Sequence, residues 1–176
     1  MFDPAVSHLL ALCGALLFGA AAFAKVRSFA MFCANLGEYR ILPARVTAVA
    51  AVAISCLEFA VAVGLLWSGT RSLAAALGAV LLIAYAAAIA VNLIRGRRDL
   101  DCGCGYEPTA IAGWMVIRNV VLAALLTLLQ MPLSSRELGL ADYATIAGGL
   151  FGTALLFLSA EALLARPMAR QFSASP

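Results

Sequence analysis

The chain has 176 residues, of which 64% are hydrophobic and 12% charged, against roughly 45–50% and 25% in an ordinary soluble domain. With a mean hydropathy of +1.00, a water-soluble enzyme domain and a disordered chain are both excluded, because neither can carry so much apolar surface. The formal net charge of +3 is too small for a nucleic-acid footprint, and the chain reads as an all-α integral membrane protein.

A helix crossing ~30 Å of hydrocarbon needs about 20 mostly apolar residues. The first such segment is Pro4–Ala24. Its end, Ala22-Phe23-Ala24, looks like a signal cleavage site, but Asp3 and His8 precede it with no Lys or Arg, so a retained span is expected. Lys25–Arg45 follows, with Phe29, Cys33 and Leu36 at helical spacing and Lys25, Arg27 and Arg40 around them. This pattern predicts an amphipathic helix in the membrane interface, closed by Gly37 and Pro43. Val46–Trp67 and Ser72–Ile94 are the second and third spans, joined by the tight link Ser68–Arg71. A second polar stretch, Arg95–Pro108, leads to a fourth span, Thr109–Leu133. Ser134–Asp142 then links it to a fifth, Tyr143–Ala165. Trp67, Trp114 and Tyr143 lie near span ends, as interfacial aromatics do.

The tight links force antiparallel neighbours, and one integral membrane domain over 1–176 is expected, a compact bundle of about five transmembrane helices. In the fifth span Gly148 and Gly152, with Gly149 beside them, form a GxxxG pattern, read as packing within the chain ahead of a dimer face. With five spans, both long polar connections and the C-terminal tail share one face. Nine of the twelve Lys and Arg lie on it, against Arg71 and Arg136 opposite and Arg118 within a span. The positive-inside rule makes the shared face cytoplasmic.

Cys102-Gly103-Cys104, in the second polar stretch, is the sharpest chemical feature. Thiols separated by one glycine can close a small, strained disulfide ring, and strain makes a disulfide easier to reduce and suited to exchange. Arg95, Arg97 and Arg98 nearby favour thiolate, while Asp99, Asp101 and Glu107 oppose it. The same pair also suits a soft metal ion such as Cu(I) or a Hg-like ion. Two loop thiols without a role are the third alternative. Structural zinc is not expected, because no histidine is near. Cys33, on the same face, is a candidate third thiol or a buried inert one, while Cys13 and Cys56 read as small hydrophobes within spans.

Ionisable groups within spans are costly and mark pairing or function. Glu58 lies ~18 Å and Arg118 ~14 Å along their helices from the shared face. A Glu58–Arg118 pair beneath the Cys-Gly-Cys loop is therefore expected, with Asn119 and Asn92 extending it by interhelical hydrogen bonds.

Cys56-Leu-Glu-Phe59, Asn92-Leu-Ile-Arg-Gly96, Asp101-Cys-Gly-Cys-Gly105 and Arg118-Asn119 occur in that order, and Gly37-Glu-Tyr-Arg-Ile-Leu-Pro43 precedes the second span. Together they resemble the MauE family of the DoxX-like membrane proteins, over nearly the whole chain. Where that family usually continues Cys-Gly-Cys with Phe-Gly, this chain has Gly105-Tyr106. The resemblance implies a DoxX-like four-helix core plus one helix, and a multi-pass protein of the bacterial inner (cytoplasmic) membrane. It implies a role in maturation of methylamine dehydrogenase, whose small subunit needs several disulfides, with a thioredoxin-like protein or disulfide-bearing client as partner. On that reading Cys102 and Cys104 form a thiol–disulfide relay, supported by Glu58, Arg118, Asn119, Asn92 and Cys33. The alternatives are a soft-metal carrier held by Cys102 and Cys104, or a non-catalytic assembly subunit. A quinone is a candidate terminal partner, though no residue marks its site.

Partners of that kind work outside the cytoplasm, so the resemblance and the charge count place the thiols on opposite faces. Gly96→Cys and Arg136→Cys, each in a background without the native cysteines, should label from opposite sides with a membrane-impermeant thiol reagent. The charge count expects position 96 to be shielded in intact cells, and ready labelling there reverses the orientation.

Overall fold

The computed structural model describes residues 3–98, 100, 110–132, 134 and 136–172. Their elements are α1 (Pro4–Arg27), α2 (Phe29–Glu38), α3 (Thr47–Leu66), α4 (Arg71–Ile94), α5 (Gly113–Thr127) and α6 (Leu140–Phe172), with a 3₁₀ turn, Leu128–Gln130, extending α5. Four of them are long and apolar enough to cross a membrane: α1, α3, α4, and α5 with its 3₁₀ turn. A shorter apolar stretch, Leu140–Leu156, begins α6. The expected helical membrane bundle is therefore present, as a four-helix core with α6 applied to α1.

Helix–helix association in lipid gains little from the hydrophobic effect and depends on close packing, which small residues permit. The core follows that rule: Ala11, Ala15, Ala62, Ala74, Ala75, Ala79 and Ala123 surround Phe18, Val61, Leu65 and Leu82. Two glycines set the closest approaches. A Cβ on Gly78 would lie 3.0 Å from Phe18, 3.0 Å from Val61 and 3.1 Å from Leu126. One on Gly64 would lie 2.8 Å from the Cβ of Ala74, an atom with no rotamer by which to move. The tight α3–α4 link is closed by hydrogen bonds to the free carbonyls ending α3. The Thr70 hydroxyl donates to Gly64 O at 2.9 Å and Arg71 Nε to Leu65 O at 3.2 Å.

At the end of the bundle remote from α2, the start of α1 is tied to α6. Asp3 caps α1 by accepting from Ala5 N at 2.8 Å. Arg136 reaches Asp3 at 3.1 Å and Asp142 at 2.9 Å. The Ala5 N–H, and after it the Arg136 guanidinium, hold the Asp3 carboxyl below its usual value.

Two boundaries and one packing contact differ from the sequence reading. Helix α1 runs one turn past Ala24, so Lys25 belongs to the bundle and the interfacial helix is confined to α2. Helix α5 begins at Gly113; Thr109 and Leu133, the expected limits of that span, lie outside the described residues. The GxxxG pattern is not a packing seam within the chain: Cβ atoms on Gly148 and Gly152 would meet nothing within 4 Å, and only Gly149 abuts α1, through Leu9. The three glycines do not share one face, and the α1 contact selects the middle one.

Gly64→Ala must push α3 and α4 apart and should cost about 1–3 kcal/mol. Gly148→Ala and Gly152→Ala should be neutral or slightly stabilising, since alanine has the better helix propensity. Thermal unfolding of the purified variants in detergent checks both, and equal losses at all three positions would refute this packing.

Candidate functional site

The chemistry proposed for the chain belongs to the end of the bundle where α1 and α4 finish and α3 and α5 begin. Cys102 and Cys104 lie outside the described residues, but both feet of their loop are within them. Leu100 and Ile111 are buried, and Ile111 N donates to Leu100 O at 2.9 Å. They pack with Tyr39, Ile89 and Met115 in an apolar cluster capping the bundle. The loop thus leaves and re-enters the fold at one pinned point.

Gly96 positions the first foot. Its φ of +74° is a left-handed conformation that costs glycine nothing. It ends α4 with Gly96 N bonded to Leu93 O at 3.0 Å and Arg97 N bonded to Asn92 O at 3.0 Å, a Schellman cap. The cap aims Arg97 sideways, so its guanidinium donates to Glu38 O at 2.7 Å and Asn92 Oδ1 at 3.3 Å. Arg97 therefore fastens α2 to α4. Of the three arginines expected to favour thiolate, it is the one committed elsewhere; Arg95 and Arg98 are exposed. Asn92 serves this cap and its own helix, donating to Ala88 O at 3.0 Å, where an interhelical bond was expected.

Beneath the capping cluster, Glu58 is 0% exposed. Its partner is Lys25, whose Nζ donates to Glu58 Oε1 at 2.8 Å. The Tyr85 hydroxyl donates to the same oxygen at 2.7 Å. The Lys25 ammonium also lies over two rings, 5.3 Å from the centroid of Phe32 and 5.6 Å from that of Tyr85, where ring quadrupoles favour a cation. One group of four side chains thus joins α1, α2, α3 and α4.

This corrects the expected Glu58–Arg118 pair. A cation ending an apolar segment reads as an interfacial charge, yet the extra turn of α1 carries Lys25 inside. Its long apolar stem then lies among hydrocarbon while the ammonium reaches Glu58. Arg118, half-buried one turn after Trp114, lies over that ring at 5.0 Å. Asn119 is buried, and its Nδ2 has no hydrogen-bond partner among the described residues; Glu58 Oε2 shares that state. Lys25, Phe32 and Tyr85 are the members missed by sequence reasoning. The available signal was the need of an intramembrane carboxylate for a counter-ion, but depth alone did not separate Lys25 from Arg118.

The other cysteines are spread out. Cys33 is half-buried and lines an open groove of about 450 Å³ with Arg40, Leu42 and Thr47. Cys13 is half-buried in α1, and Cys56 is exposed on the outside of α3. Among the described residues, no three His, Cys, Asp or Glu side chains gather as metal ligands would.

Removing one partner of the buried pair strands the other charge in the bundle, which typically costs ~3–5 kcal/mol. Glu58→Gln and Lys25→Met should each sharply lower folded yield and Tm, and Lys25→Met/Glu58→Met should recover most of the loss. Arg118→Gln should not rescue Glu58→Gln; rescue would restore the rejected pairing.

The family model described as "Methylamine utilisation protein MauE" matches residues 3–132, from the cap of α1 to the turn ending α5. A "Methylamine utilization protein MauE" of Paracoccus denitrificans is 39% identical over 127 residues, 71% of this chain and 68% of that protein. The protein so named in Methylophilus methylotrophus is 32% identical over 169 residues, 94% of this chain and 89% of its own. That of Paracoccus versutus is 35% identical over 178 residues, 98% and 95% of the two chains. No solved structure matches the chain.

Proposed function

Because the chain belongs to the MauE family, we propose that it is a membrane maturation factor in methylamine utilisation, acting as a thiol–disulfide relay through Cys102 and Cys104. The client is a protein of the methylamine dehydrogenase type that must acquire disulfides. A thioredoxin-like protein is the second partner. The similarity to methylamine utilization proteins supports the pathway, and the Cys-Gly-Cys spacing supports the chemistry.

The observation that carries the reading is the pinned base of the loop. The Leu100–Ile111 hydrogen bond and the apolar cluster around it anchor the residues that flank the segment carrying both thiols. A redox pair that must meet two partners in turn gains from such an anchorage, because fixing the ends of its segment reduces the freedom lost on each encounter.

In the oxidising direction, a client thiolate attacks one sulfur of the Cys102–Cys104 disulfide. That bond breaks, the other cysteine leaves as thiolate, and a mixed disulfide forms. The client's second thiolate then attacks its own sulfur in the mixed disulfide, completing the client disulfide and releasing the pair as a dithiol. Two electrons pass from client to relay, and the two protons lost by the client thiols are matched by two taken up on the relay. A thioredoxin-like protein carrying a disulfide reoxidises the pair by the same exchange. Strain in the small ring makes its disulfide the stronger oxidant, which drives the client step.

Cys102→Ser and Cys104→Ser should each abolish maturation, measured as active, fully disulfide-bonded client dehydrogenase made in cells. Cys13→Ala and Cys56→Ala should leave it near the native level. Alkylation gel shifts with and without reductant should show two thiols that cycle in the native protein. Full activity in both single serine variants overturns the relay.

A further inference from the structure

Between the end of α2 and the start of α3 the chain leaves an open groove of about 450 Å³. Cys33, Ala34, Leu42 and Ala44 give it an apolar lining, with Arg40 and Thr47 beside them. Thr47 is the first residue of α3, whose N-cap, Val46, offers no side-chain acceptor to the first-turn amides. A helix end of this kind carries partial positive charge and favours an anion.

Arg40 stands here against its backbone preference. It follows Tyr39, the C-cap of α2, with a φ of +49°, a left-handed conformation that glycine or asparagine usually supplies. Strain of this sort persists where the surroundings enforce it, and it gathers at sites of function. The side chain is exposed, and neither the Arg40 nor the Arg45 guanidinium makes a hydrogen bond or ion pair among the described residues. From Arg27 to Arg45 the sequence holds three arginines and one acidic residue, Glu38. The groove is electropositive, yet its surroundings are apolar. Ile41 and Leu42, which follow Arg40, and Val46 and Val49, on either side of Thr47, are all exposed.

We propose that this groove binds an anionic phospholipid of the surrounding bilayer, with Arg40, reinforced by Arg45, on its phosphate. The position fits, because the groove lies where a membrane-spanning helix begins beside an interfacial one, at the depth of lipid headgroups. A guanidinium can donate to two phosphate oxygens at once, and the exposed apolar side chains lie against the acyl chains. A soluble anion would use the arginines and leave those side chains without a partner. The site involves neither Cys102 nor Cys104, so it stands or falls apart from the relay.

The test is native mass spectrometry of the full-length protein released from detergent. The probes are dioleoyl phosphatidylglycerol and dioleoyl phosphatidylcholine, which share their acyl chains and differ in net charge. Phosphatidylglycerol should bind preferentially, and Arg40→Gln/Arg45→Gln should weaken it about tenfold without changing phosphatidylcholine binding. Arg95→Gln/Arg98→Gln removes the same charge from the end of α4 and should weaken it far less. Equal losses in the two double variants, or equal binding of the two lipids, overturn the site. Arg40→Gly relieves the left-handed strain, so it should raise Tm while lowering phosphatidylglycerol binding, a loss that misfolding cannot explain. Undiminished binding in that variant overturns the proposal. Displacement of the lipid by an equal concentration of inorganic phosphate makes the occupant a soluble anion and overturns it too, as does a lipid-free dimer of the chain.

Discussion

The contact between Lys25 Nζ and Glu58 Oε1, 2.8 Å long and shut off from solvent, is the constraint around which the bundle is arranged. A carboxylate in hydrocarbon must find a cation, and this requirement sets where α1 ends, how α3 is rotated and which face of α4 turns inward. The aromatic rings of Phe32 and Tyr85 then bring in α2 and α4 around the same ammonium. Alanine and glycine surfaces pack closely but say little about register, because one small residue resembles the next. The ion pair and the Gly78 contact remove that freedom together. Buried pairs of this kind add specificity more readily than stability, and a bundle poor in large interlocking side chains is where such specificity counts.

Along the bundle axis the same end of the molecule carries three successive layers: the polar group of Lys25, Glu58 and Tyr85, the apolar cap of Tyr39, Ile89, Leu100, Ile111 and Met115, and the root of the cysteine loop. Arg97 clamps the interfacial helix to this stack through Glu38 O. The two feet of the loop, the cap and α2 are thus tied together, and the groove beside Cys33 lies against α2.

Much of this was legible from residues alone. Apolar length located the core helices, the tight Ser68–Arg71 link made α3 and α4 neighbours, and the spacing of Phe29, Cys33 and Leu36 announced α2. The misreadings share a cause, which is that periodicity and depth are one-dimensional. They located Glu58 within its span but could not choose between two cations, and the choice fell to Lys25 because α1 continues a turn that composition does not mark. They also saw Gly148 and Gly152 as a seam, whereas the rotation of α6, set by its contact with α1, turns Gly149 inward. The Cys-Gly-Cys segment was conspicuous for chemistry, yet its footing on Leu100 and Ile111 could be seen only once both ends were placed in space.

That footing has a consequence for how the protein can change. A loop whose ends are held together by the fold adds to the cost of folding only through its own closure entropy, which grows by about 0.6 kcal/mol for each doubling of length. Residues between Leu100 and Ile111 can therefore be exchanged, added or removed with little effect on the helices below. Variation there is free to alter which proteins the thiols meet, while the membrane-embedded part stays as it is.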